Sequence, residues 1–175
     1  MPPPPSDWVC RFAGQVPAGP VLDLACGGGR HGRLFRARSH PVTLLDRDLS
    51  GVADLAGQDG VETHEADLED GRPFPLAGRT FAGVVVTNYL YRPLLPALVA
   101  AVAPGGMLLY ETFAQGQERL GRPTNPDFLL DPGELLDAVR GPLTVVAYED
   151  RTLHRPDLAR VQRICAVRPG GLRSR

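Results

Sequence analysis

The chain has 175 residues, 43% of them hydrophobic and 22% charged, with a formal net charge of −1. That length fits one globular domain with a core of its own, and the balanced charge excludes a general basic field that would recruit nucleic acid or an anionic membrane. No apolar run approaches the roughly 20 residues needed to span a bilayer. Cys10, Cys26 and Cys165 are odd in number, widely spaced and free of any C-x-x-C pair. They argue against a disulfide framework or a zinc site and fit a reducing cytoplasm, with no metal expected.

The chain opens on Met1 followed by Pro2, Pro3, Pro4 and Pro5, without the basic and apolar regions of a signal peptide. It reads as a stiff, solvated tail within a lead-in over 1–19. Next comes Val21-Leu22-Asp23-Leu24-Ala25-Cys26-Gly27-Gly28-Gly29-Arg30-His31-Gly32, an apolar run that ends in three glycines before a helix-compatible segment. Glycines let the backbone turn sharply and let a ligand approach without meeting a Cβ, and the amides that open the next helix face that ligand. This is the pattern of a nucleotide-binding turn in a Rossmann-like α/β fold.

Further along, strand-like runs at 20–24, 42–46, 61–65, 81–87 and 107–112 alternate with helix-like segments at 31–39, 49–56, 94–103 and 132–139. Gly83-Val84-Val85-Val86 is continuously apolar, as a central strand buried on both faces requires. The last helix carries start signals in Asp131, Pro132 and Glu134. Between runs at 143–149 and 160–167 lies too short a loop for a parallel crossover, so these two form an antiparallel hairpin. The expected architecture is doubly wound, a mainly parallel seven-stranded sheet ending in that hairpin. One domain spans 20–168, and 169–175 forms a C-terminal tail. Segment 113–130 lacks periodicity, carries Gly116, Gly121, Pro123 and Pro126, and follows the fifth strand, so it is read as a partial lid.

The glycine turn formally satisfies G-x-G-x-x-G, and Asp46, 19 residues after Gly27, ends the second strand where ribose hydroxyls bind in NAD sites. Three features point away from NAD. Asp23 lies inside the first strand, Glu65-Ala66-Asp67-Leu68 supplies another carboxylate after the third, and the closing hairpin leaves no separate substrate domain. Taken together, Val21 to Gly29, Asp46, Ala66-Asp67 and Thr87-Asn88-Tyr89 resemble the ordered motifs of class I S-adenosylmethionine-dependent methyltransferases, over roughly 21–167. Segments 23–31 and 125–136 further resemble small bacterial tellurite-resistance and thiopurine-type members. One departure is Ala25, where that family commonly has glycine, with Gly28 at a variable position.

The resemblance implies S-adenosylmethionine as cofactor, with S-adenosylhomocysteine as product, and a small-molecule acceptor with a thiol or other chalcogen nucleophile as candidate. The backbone of Ala25, Cys26, Gly27 and Gly29 would border the methionyl part, with Asp23 orienting the loop. Asp46, beside Arg47, would accept from the ribose diol, and Asp67 with the Leu68 amide would hold the adenine edge. Asn88 would lie at the reactive methyl, with Tyr89 and Tyr91 flanking the sulfonium, while Arg92 and Arg122 would meet an anionic acceptor. His31, at a helix start beside the turn, is a candidate base or acceptor-positioning residue as well as a structural histidine. Plain alternatives stand beside these: an Asp46–Arg47 ion pair, loop capping by Asp23, a solvent-facing Asp67, and simple packing by the tyrosines. At the level of function the alternatives are an NAD-linked oxidoreductase and a non-catalytic S-adenosylmethionine-binding module serving a protein partner.

Overall fold

The computed structural model describes residues 2–170. Seven strands form one sheet: β1 (Val21–Leu24), β2 (Val42–Asp46), β3 (Val61–Glu65), β4 (Phe81–Thr87), β5 (Val102–Phe113), β6 (Thr144–Leu153) and β7 (Ala159–Val167). Their order is β3-β2-β1-β4-β5-β7-β6. Neighbours from β3 to β5 pair in parallel, whereas β7 runs antiparallel to both β5 and β6. The mainly parallel sheet with its terminal hairpin is therefore as expected, and the hairpin enters through β7.

β1 is central, with Val21 in register with Val42 on one side and Gly83 on the other. Alternate residues of β1, β4 and β5 point to opposite faces. Leu22, Leu24, Val84, Val86, Leu108 and Tyr110 fill the core beneath α3 (Leu95–Ala100) and α4 (Glu134–Val139). On the other face Val21, Val85 and Leu109 pack against Phe35 of α2 (Arg30–Ala37) and against α1 (Asp7–Ala13).

Helix α1 lies in the segment read as a lead-in, and the sequence reading missed it. Its signal was present: Ser6 caps it by accepting from the Trp8 and Val9 amides, and Trp8, Val9, Phe12 and Ala13 make one apolar face, all buried. Trp8 Nε1 donates to the Ile164 carbonyl at 3.1 Å, and the Arg163 guanidinium lies 4.9 Å from its ring. Pro2, Pro3 and Pro4 are exposed as expected of a solvated tail, yet they are tethered, because Arg30 Nη1 donates to the Pro4 carbonyl at 3.0 Å. Of the C-terminal tail, 171–175 lie outside the described residues.

Three expected helices differ. Segment 49–56 holds only a single 3-10 turn, Ser50–Val52. A Cβ on Gly51 would sit 2.9 Å from the Gly27 carbonyl oxygen, so the chain here is pressed against the glycine turn, and the Asp48 side chain takes the Ser50 amide at 2.9 Å. The helix expected over 94–103 stops at Ala100, since Val102 already pairs with Phe81 as the start of β5. In the last helix Pro132 precedes the first turn, because Gly133, left-handed at φ 75°, is the residue that caps α4. The carboxylate of Glu134 nevertheless reaches back to the Asp131 amide at 2.7 Å, one half of a capping box.

Candidate functional site

Where β1 ends, Ala25, Gly27 and Gly29 adopt positive φ values of 53°, 51° and 70°. Alternating left-handed residues bend the chain back into α2, a path that glycine takes without the penalty a Cβ brings. Gly32 serves a different need. A Cβ there would lie 2.3 Å from Leu44 Cδ2, so α2 rests directly on β2. The Gly32 amide donates to Asp23 Oδ2 at 2.8 Å, and Asp46 Oδ2 accepts from the Gly27 amide at 2.8 Å. Two carboxylates, one inside β1 and one ending β2, thus hold the turn and the start of α2. Asp46 Oδ1 also accepts from the Asp48 amide at 3.1 Å, and a carboxylate with four lone-pair sites keeps capacity for further donors.

A cavity of about 530 Å³ opens at the carboxyl edge of the sheet, beside this turn. Of the residues singled out in the sequence, Ala25, Asp46, Arg47, Asp67, Leu68, Asn88 and Tyr89 line it. Asp67 closes a short turn by accepting from the Glu69 amide at 2.9 Å, and Asn88 is left-handed at φ 54°. The sequence reading missed Glu69, Leu90, Thr112, Phe113, Pro123 and Phe128 as lining residues. The available signal for the last three was their place at the end of β5 and in the aperiodic segment that follows it, where aromatic and proline residues punctuate an otherwise polar run.

Other expected residues lie elsewhere. Asp23, Cys26, Gly27 and Gly29 form the turn behind the cavity and do not line it. Burial pushes the Asp23 carboxyl up to about 7 and the Cys26 thiol up to about 12. His31 is buried beneath the N-terminal segment, where its Nε2 accepts from the Ser6 amide at 3.0 Å; burial pulls its pKa down to about 3. That imidazole is neutral and structural, not placed to act as a base on a ligand in the cavity. Tyr91 faces a separate cavity of about 310 Å³ that shares Asp67 and Leu68 with the first, so it does not join Tyr89.

The two arginines expected to meet an anionic acceptor do not line the cavity. Arg92 donates to both oxygens of Glu134, at 2.6 and 3.0 Å, and to the carbonyls of Asp127 and Leu129 at 3.1 and 2.8 Å. It stitches the 113–130 segment to α4. Arg122 is exposed, and its carbonyl accepts from the buried Gln117 side chain at 2.9 Å. The segment is pinned at its ends, with the Leu130 amide donating to the Phe113 carbonyl and the Gln115 amide to the Leu130 carbonyl, each at 3.0 Å.

The Tyr89 hydroxyl lies 3.4 Å from Glu69 Oε2, and its carbonyl accepts from the Tyr110 hydroxyl at 2.6 Å. Burial, with the Glu69 charge beside it, pushes the Tyr89 phenol up, so it stays protonated. Among the described residues no group of three or more His, Cys, Asp or Glu side chains is placed to hold a metal ion, and no helix is long and apolar enough to cross a membrane.

No protein-family model matches the chain. It is 33% identical over 101 residues to malonyl-[acyl-carrier protein] O-methyltransferase of Salmonella typhimurium, a match covering 55% of this chain and 39% of the relative. The chain therefore spans about two fifths of the length of that relative. Among solved structures it superposes on TehB from Haemophilus influenzae with a TM-score of 0.69 at 19% identity, covering 93% of this chain and 61% of the other. A second is 1,6-didemethyltoxoflavin-N1-methyltransferase of Burkholderia thailandensis, with bound 1,6-didemethyltoxoflavin and S-adenosylhomocysteine. There the TM-score is 0.69 at 18% identity, over 93% of this chain and 76% of that one.

Proposed function

From a chain that has the fold of S-adenosylmethionine-dependent methyltransferases, we propose an enzyme that transfers the methyl group of S-adenosylmethionine to a small-molecule acceptor. The carrying observation is the 530 Å³ cavity in which Asp46, Asp67 and Asn88 are brought together from the ends of β2, β3 and β4. A volume of that size falls within the range of small-molecule sites. The residues fit the cofactor: Ala25, where the glycine turn meets the cavity, for the methionyl part, a strand-end carboxylate for the ribose diol, and Asp67 with Leu68 for the adenine edge. A thiol or other chalcogen acceptor remains the candidate nucleophile.

When bound, the cofactor supplies a methyl already activated on a sulfonium. The protein's share is then alignment and exclusion of water. Asp46 holds the Gly27 amide and so fixes the turn while presenting its remaining lone pairs to hydroxyl donors. Asp23 fixes the start of α2 through Gly32. Asn88 sits at the end of β4, and Tyr89, held by Tyr110 and Glu69, walls the cavity next to it. The 113–130 segment closes the far side as a partial lid. We assign cofactor binding to a domain over 20–168, with the 1–19 lead-in packed on it through α1. The three free cysteines fit a cytoplasmic setting.

Calorimetric titration of the purified chain with S-adenosylhomocysteine and, separately, with NAD tests the reading. Micromolar binding of the first and none of the second is expected. Tight NAD binding without S-adenosylhomocysteine binding would reject it in favour of a dehydrogenase.

A further inference from the structure

Resting on the methyl-transfer reading, we propose that the acceptor is an uncharged molecule with an apolar or aromatic body, and that acceptors bearing a carboxylate or phosphate are rejected. The cavity is chemically divided. Its charged lining residues, Asp46, Arg47, Asp67 and Glu69, all follow β2 and β3. The half built after β4 and β5 is walled by Asn88, Tyr89, Leu90, Phe113, Pro123 and Phe128, with Thr112 beside them, so its polar groups are an amide and hydroxyls and none carries a charge.

Among the described residues no cation lines that second half. Arg92 makes four hydrogen bonds to Glu134 and to loop carbonyls, Arg122 does not line the cavity, and His31 is a neutral imidazole behind the turn. An acid group placed against Phe113 and Phe128 would give up part of its hydration without an ion partner in that half, and would share the cavity with three carboxylates, Asp46, Asp67 and Glu69, against the single guanidinium of Arg47. Burying an unpaired charge is expensive, and like charges nearby add to the cost. A flat apolar body meets none of these penalties and gains contact with two aromatic rings.

Among the described residues that line this half there is also no carboxylate or imidazole to act as a base. Tyr89 donates its hydroxyl proton to Glu69 and its phenol is pushed up in pKa. The acceptor atom must therefore be nucleophilic as it arrives. Its lone pair forms the new bond to the methyl carbon, the carbon–sulfur bond breaks with its electron pair returning to sulfur, and any proton on the acceptor atom passes to water.

The test uses the full chain saturated with S-adenosylhomocysteine, titrated calorimetrically with 4-methylphenol and with 4-hydroxybenzoate, two rings distinguished by one carboxylate. 4-Methylphenol is expected to bind at least about tenfold more tightly. Phe128 is 45% exposed, so Phe128→Arg is tolerated by the fold and is expected to narrow that ratio to about threefold or less by supplying a cation. Equal or tighter binding of 4-hydroxybenzoate by the parent chain, binding of neither ring, or an unchanged ratio in the variant overturns the proposal. S-adenosylhomocysteine binding is measured first, so failure of the methyl-transfer reading is seen separately from failure at the acceptor end.

Discussion

The turn between β1 and α2 and the loop between β5 and α4 both border the cavity, but they are built in opposite ways. The turn is held by groups from adjacent strand ends: Asp23 on the Gly32 amide, Asp46 on the Gly27 amide, Leu44 against Gly32. The loop has no element of its own beyond two 3-10 turns, Gln117–Arg119 and Pro126–Phe128. It is held by side chains distant in sequence, Arg92 on its Asp127 and Leu129 carbonyls and Gln162 of β7 on the Asp131 carbonyl at 2.6 Å. Backbone fixed at strand ends suits an invariant ligand portion, whereas a pinned loop leaves its exposed side chains free to vary with the acceptor.

The largest expected effect separates two buried groups of the turn by pH. The Asp23 pKa is raised from 3.8 to about 7, so its contribution to stability is fully present below pH 3.8 and is lost as pH rises through 7. His31 is lowered from 6.5 to about 3, so its contribution is present above pH 6.5 and is lost as pH falls toward 3. Each shift corresponds to about 4–5 kcal/mol at most. Between pH 4 and 6.5 the two oppose each other. Relative to the parent chain, Asp23→Asn should gain stability as pH rises across that window and His31→Gln should lose it, as read by chemical denaturation at each pH. Parallel profiles for the two variants would show that the turn is not the tightly desolvated unit described.

Legibility in the sequence follows the same division. Strands β2, β3 and β4 begin and end where the residue pattern placed them: β2 and β4 are largely buried apolar runs, β3 is a half-exposed edge strand in which polar and β-branched residues mix, and the flanking breakers are local. The lining of the cavity by Asp46, Asp67 and Asn88 was likewise readable, since each lies at or just past the carboxyl end of a strand at the same edge of a parallel sheet. Arg92 was read as a ligand-facing cation because its true partner, Glu134, lies 42 residues away. His31 was left open between a structural role and chemistry because nothing local announces that Ser6 will cover it. Helix α1 was overlooked for a related reason: its apolar face is short, and only the sheet beneath it gives Trp8 a place to go.

A smaller effect is expected at the loop. Arg92→Ala removes the donors for two carbonyls and leaves Glu134 half-buried without its cation. The Arg92 side chain is itself partly exposed, so after allowance for solvent screening the loss is about 1–2 kcal/mol. Amide hydrogen exchange should quicken across 125–130 while Gly27 and Gly32 keep their protection. S-adenosylhomocysteine affinity should change by no more than about twofold, and 4-methylphenol affinity of the saturated complex should drop about tenfold. Equal loosening of both regions would mean that the turn and the loop are one cooperative unit.

The smallest effect concerns Ala25, which sits at φ 53° where that conformation favours glycine. A left-handed alanine costs roughly 1–2 kcal/mol, and glycine at the same place brings back about 0.5–1 kcal/mol of backbone entropy cost. Ala25→Gly should therefore raise stability by about 1.5 kcal/mol at most. Asn88, left-handed at the end of the adjacent strand, is a residue type that tolerates this region better, so the strain is concentrated at Ala25. Both residues line the cavity. If the glycine variant is more stable yet binds S-adenosylhomocysteine more weakly, the alanine methyl is a wall of the site retained against its conformational cost, as strain at a binding turn commonly is. If stability rises and binding is unchanged, the methyl is incidental and the turn is defined by its backbone alone.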